Sequence, residues 1–154
     1  MAMKQSKFRG VGGKILLVVL GLLPGVGGWL MNGYIMKADS LRYLTAVSAG
    51  FFLLWGLLAF AARPLAKSAK EAALLLNAVA AVDLLLVFFQ EMILGAYWFN
   101  WVGSWSQMFF LPPLSVGAAL TFWSHRMIPS YLASFILMGL ASWLGARVRE
   151  RQLR

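Results

Sequence analysis

Apolar residues along this chain fall into five long blocks separated by short polar stretches. The blocks run over 14–36, 43–62, 72–97, 106–123 and 127–146. Crossing the hydrocarbon core of a bilayer takes about 20 apolar residues in a helix, and each block reaches or nearly reaches that length. The pattern predicts an all-α, polytopic bundle forming a single transmembrane domain over 1–154. No internal repeat and no low-complexity linker divides it.

Local signals mark where helices begin, bend and end. Lys4, Lys7, Arg9 and Lys14 followed by the apolar run 15–23 give the N-terminus the look of a secretory signal. We read this stretch as a first span, kinked at Pro24 in the run Pro24-Gly25-Val26-Gly27-Gly28. Arg63-Pro64 predicts the stop of the second helix, because proline disfavours helical backbone in the residue before it. Ser68-Ala69-Lys70-Glu71 is a capping box just ahead of the third block. Ser68 is expected to accept from the backbone N–H of residue 71, and Glu71 to reach back to the N–H of Ser68. That assigns Glu71 to a cap and not to catalysis. The fourth block is short and carries Pro112-Pro113.

Composition agrees with the block pattern. The chain is 61% hydrophobic and 12% charged, against about 25% charged in a soluble domain. A soluble enzyme, a disordered tail and a secreted disulfide scaffold are excluded. Cysteine is absent, which removes disulfides, thiolate metal sites, Fe–S clusters and cysteine nucleophiles. The net charge is +9, from 14 Lys+Arg and 5 Asp+Glu. The basic residues sit at the ends of apolar blocks, a footprint of topology and anionic lipid headgroups; no nucleic-acid role is expected.

The basic residues also constrain topology through the positive-inside rule. Five full spans with the N-terminus inside place eight Lys/Arg inside and six outside, which barely discriminates. If the fourth block does not cross, only Lys37, Arg42 and Arg126 are outside and the other eleven are inside. A re-entrant first block gives ten inside and four outside. The favoured arrangement has four spans plus a Pro-broken or re-entrant fourth block, with both termini cytoplasmic. Five full spans are the alternative.

Candidate chemistry concentrates in and after the third block. Asp83 falls near its midpoint. A carboxylate at that depth costs about 2.5–3.5 kcal/mol on insertion scales, so it must face protein or water, be paired, or carry a proton. On an ideal helix Asp83, Gln90 and Tyr97 share one face. Glu91 is turned about 80° from Asp83, too far for a close acid/base pair, and Asn77 lies about 40° from Glu91. Tyr97, Trp98, Phe99, Trp101 and Trp105 crowd around Asn100. They read as an interfacial aromatic belt, or as a mouth whose rings (Trp98, Trp101 and Trp105) wall in a lipid, quinone or amphiphile. His125 and Arg126 form a polar pair between blocks four and five. Arg126 is a potential partner for Asp39 or Glu91. A lone histidine without cysteine gives no zinc site.

Three small-residue pairs, Gly21/Gly25, Ala46/Gly50 and Ala141/Gly145, have the i, i+4 spacing that lets helices approach closely. Walker A, GxSxG, HExxH and Mg²⁺-binding acidic motifs are absent from the sequence, and no cofactor is expected. Three functions remain. The first is binding or transport of an ion or a small lipophilic molecule, with Asp83 as the key polar group and Gln90, Glu91 and Tyr97 nearby. The second is a non-catalytic subunit, scaffold or assembly factor that meets another membrane protein, or itself, through the small-residue faces. The third is a lipid-modifying enzyme using Asp83, Glu91 or His125, which their spacing does not support. Membrane lipids are the other expected partners.

Overall fold

A computed structural model gives the fold of residues 10–37 and 43–152, and every regular element among the described residues is helical. The helices are α1 (Val11–Leu20), α2 (Leu23–Ile35), α3 (Leu44–Ala62), α4 (Ala69–Leu76), α5 (Ala78–Phe88), α6 (Trp101–Phe109), α7 (Leu111–Leu120) and α8 (Met127–Gln152). Lys4, Lys7, Arg9, Asp39, Arg42 and Arg154 lie outside the described residues.

Among the described residues, three stretches are long and apolar enough to cross a membrane: Val11–Ile35, Leu44–Leu65 and Met127–Gln152. A fourth is obtained if α4, α5 and the π-helical turn Phe89–Leu94 count together; this segment bends by 43° at Asn77. Pro24 falls at the start of α2, where its missing N–H is harmless, and so the first block breaks between Leu20 and Leu23. Arg63-Pro64 ends α3 in a short 3₁₀ turn.

The third block departs from its predicted limits. Its helix starts at Ala69, directly after the Ser68 cap, and stops at Leu94 instead of Tyr97. Gly95 closes it in the left-handed region at φ 65°, a conformation glycine adopts without steric penalty. The fourth block is not one helix. It divides at Phe110 into α6, which begins earlier than expected, and the ten-residue α7. Pro112 and Pro113 occupy the first turn of α7. Four N–H groups at a helix start lack an intrahelical partner, and the two prolines remove half of them where Phe109 and Phe110 are fully buried.

Burial runs opposite to the pattern of a soluble domain, where leucine goes inside. Leu53, Leu54, Leu57, Leu74 and Leu85 are each more than 60% exposed. The interior is lined instead by Ala59, Ala66, Ala72, Ala80 and Ala146 together with Ser48, Asn77, Asp83, Gln90 and Ser142. Helix α8 organises the packing: it lies along α3 most extensively and also touches α4, α5 and α7. The Ala141/Gly145 face serves this contact, with Gly145 packed against the backbone of Gly56. Gly21 and Gly25 are also used within the chain, against Leu76 and Trp105.

The bundle has two chemically distinct ends. At one, Lys14 pairs with Glu71 (2.8 Å) and Arg63 with Glu150 (2.8 Å), which brings together α1, the α3–α4 turn and the end of α8. At the other, Glu91 meets Met127 and Ile128, so the end of the third block adjoins the start of α8. Residues 101–123 therefore leave this second end and return to it.

Candidate functional site

Polar side chains form three levels along the interior. The level nearest the charged end is built on Asn77, at the bend between α4 and α5. Its Nδ2 donates to the Ala73 carbonyl (2.8 Å) and to Ser142 Oγ (2.7 Å), and its Oδ1 accepts from Trp55 Nε1 (3.2 Å). A side chain that bonds back to the carbonyl four residues earlier competes with the helical ladder, which accounts for the bend. Asn77 thus ties α4, α3 and α8 together and is not linked to Glu91.

Asp83 defines the middle level. It projects from α5, is 3% exposed, and its buried Oδ2 has no hydrogen-bond partner among the described residues. Tyr131 of α8 is buried as well, stacked on Phe110 (5.4 Å). Almost every buried polar atom in a folded protein is hydrogen-bonded, and an orphaned one costs about 1–3 kcal/mol. Two other buried atoms share this condition, Ser48 Oγ and Arg63 Nε, but the remaining nitrogens of Arg63 are satisfied by Ala66, Lys67 and Glu150.

Gln90 makes the third level. Fully buried, it donates to Ser106 Oγ (3.0 Å) and accepts from the backbone N–H of Trp98 (2.9 Å). It fastens α6 and the 95–100 loop to the third block. Tyr97 lies beyond the helix, past Gly95, so the expected stripe of Asp83, Gln90 and Tyr97 on one helical face stops at Gln90. Tyr97 Oη instead donates to Glu91 Oε2 (2.9 Å).

Glu91 has a role that its own stretch of sequence did not signal. Its two oxygens accept from the backbone N–H groups of Met127 and Ile128, both at 3.0 Å. A carboxylate at a helix N-terminus satisfies unpaired donors and opposes the positive end of the macrodipole. Its partners lie 36 and 37 residues away, beyond any local spacing rule. Glu91→Ala is expected to lower stability in detergent by about 1–2 kcal/mol and to speed amide exchange in the first turn of α8. Unchanged exchange at Met127 and Ile128 would remove this role.

His125 and Arg126 are exposed, in the turn before α8. The Arg126 guanidinium points to Met92 Sδ (3.0 Å), while the bonds to Glu91 come from backbone and Tyr97. The expected Arg126–Glu91 ion pair does not form among the described residues. Glu71 is a cap as predicted, accepting position included: Ser68 Oγ takes the Glu71 N–H at 3.1 Å. Its carboxylate, however, reaches the N–H of Lys67 (2.6 Å) instead of Ser68.

The aromatic cluster divides into two roles. Trp98 packs edge-on against Phe89 (6.2 Å), and its carbonyl sits over Gly103, leaving no room for a Cβ there. It is a packing residue. Phe99, Trp101 and Trp105 line an open cleft of about 870 Å³ together with Val26, Trp29 and Met108. Trp29 was missed in the sequence because it lies 72 residues from Trp101, in a different block. No protein family, no curated protein and no solved structure matches the chain.

Proposed function

We propose that this chain is a multi-pass membrane protein of four spans and one re-entrant hairpin, and that it conducts protons past Asp83. The observation that carries the proposal is the buried Asp83 carboxylate, whose Oδ2 has no hydrogen-bond partner among the described residues, roughly midway along a segment long enough to span. An ionisable group held at that depth without a structural partner is a functional group by default. The satisfied hydrogen-bond groups on either side, Asn77 with Ser142 and Gln90 with Ser106, give it polar neighbours toward both ends of the bundle. A single carboxylate suits a proton better than a divalent ion, which takes several oxygen ligands; no group of three His, Cys, Asp or Glu exists among the described residues.

The exposed leucines and the serine- and alanine-lined interior support the lipid setting. The return of residues 101–123 to the end they left supports four spans over five, and both termini on the cytoplasmic side. Purified chain reconstituted in liposomes with an entrapped pH dye tests the function. Under an imposed potential, acidification that depends on Asp83 supports it, and dye traces equal to protein-free liposomes overturn it.

A second reading, a subunit of a larger membrane complex, is favoured by one observation. Gly50, on the Ala46/Gly50 face, has no atom within 4 Å of where a Cβ would stand. It lines an open groove of about 500 Å³ with Gly27, Val47 and Leu54. Unlike the other two small-residue faces, this one is left free for another helix. Native mass spectrometry after mild extraction separates the readings: a fixed heteromeric mass favours the subunit.

A further inference from the structure

The cleft between α2 and α6 is built by the fold. Gly25 has no room for a Cβ because the Trp105 ring lies against it, and Gly28 is closed in the same way by the Met108 carbonyl. The glycines of α2 therefore let α6 approach with Trp105 turned inward. Trp29 of α2 lines the resulting space together with Trp101 and Trp105 of α6. A simple interfacial belt does not need indoles from two helices so far apart in sequence to converge on one cavity.

The lining defines what fits. Among the described residues it contains no charged side chain; its polar members are Asn100 and Ser104. Asn100 Oδ1 is already occupied, accepting the Gly103 N–H at 2.9 Å as the cap of α6, which leaves its amide N–H₂ to donate. The indole N–H groups of Trp29, Trp101 and Trp105 have no partner among the described residues either. The cleft thus offers donors, flat apolar walls and no charge. Aromatic walls favour stacking of planar rings, and a volume of about 870 Å³ falls within the range of small-molecule sites.

We propose that this cleft binds a neutral amphiphile with a planar, carbonyl-bearing head and an apolar tail, the chemistry of a quinone. The carbonyl oxygens take the indole and amide donors, the ring stacks between Trp29 and Trp101, and the tail leaves along the apolar face of α2. This site is separate from the Asp83 proposal and stands or falls independently of it.

Tryptophan quenching by decylubiquinone, with the chain in phosphatidylcholine nanodiscs, tests it. Wild type is expected to show a saturable phase. Val26→Phe, which fills the cleft, is expected to weaken its midpoint about tenfold, and Trp101→Phe, which keeps the wall but loses a donor, by about threefold. Trp101 is 90% exposed, so this second variant remains decisive whatever Val26→Phe does to folding. Dodecyl phosphate and dodecyltrimethylammonium, charged amphiphiles of similar reach, are expected not to displace the quinone. Linear quenching that is the same in wild type and both variants reports partitioning into lipid only and overturns the site. Recovery of the quenched fluorescence on adding either charged amphiphile overturns the assigned ligand class.

Discussion

Proteoliposomes bearing Asp83→Asn are expected to lose proton flux by about 100-fold or more, because on the proposed reading the side chain that exchanges the proton is gone while its shape is kept. The companion measurement is stability. Oδ2 of Asp83 is buried and has no partner among the described residues, so the native fold carries its desolvation cost uncompensated. Asp83→Leu replaces it with an apolar group of similar size and is expected to stabilise the chain by about 1–3 kcal/mol in detergent unfolding. Loss of function together with gained stability is the signature of a residue retained for its chemistry. A structural hydrogen-bond role predicts the opposite sign. If Asp83→Asn and Asp83→Leu both unfold more easily and flux falls only with the amount of folded protein, the proton-conducting reading fails.

The second large effect is expected at Gly145. A Cβ there would overlap the backbone of Gly56, where α3 and α8 make their most extensive contact. Backbone cannot move aside as a side-chain tip can, so the two helices must separate along their length. Gly145→Ala is expected to cost about 1–3 kcal/mol. Gly139→Ala on the same helix is the control, since nothing lies within 4 Å of a Cβ at that position; it is expected to be neutral. Thermal midpoints of the two variants, measured side by side in one detergent, check this. Equal midpoints would mean that α3 and α8 do not meet at these glycines.

What could be read from the sequence follows the range of the interaction. The helix stop at Arg63-Pro64 and the Ser68 cap depend on backbone rules acting over a few residues, and each lies within a residue or two of its expected place. The polar face of the third block was legible only in part. Helical phase computed at a constant 100° per residue holds from Asp83 to Gln90, which are both buried. It is lost at the bend of Asn77 and at the π turn, where the ladder is interrupted or takes an extra residue. Glu91 as the cap of α8 and Trp29 as a wall of the cleft each depend on a partner in another block. No periodicity within one segment encodes such a pairing. The use of Gly21/Gly25 and Ala141/Gly145 inside the chain, with Gly50 left open, was equally beyond a spacing rule that treats the three pairs alike.

Helix α7 imposes an order on biogenesis. Ten residues of helix reach about 15 Å, half the thickness of the hydrocarbon core, so α7 cannot be inserted as a span in its own right. Its slot is formed by α2, α3 and α8, and α8 is made after it. Residues 101–123 therefore have no complete seat until Met127–Gln152 has packed and Glu91 has received the amides of Met127 and Ile128. A helix made after the hairpin thus completes the seat for it, so a chain stalled or cut ahead of α8 is expected to leave Phe109, Phe110 and the paired prolines uncovered.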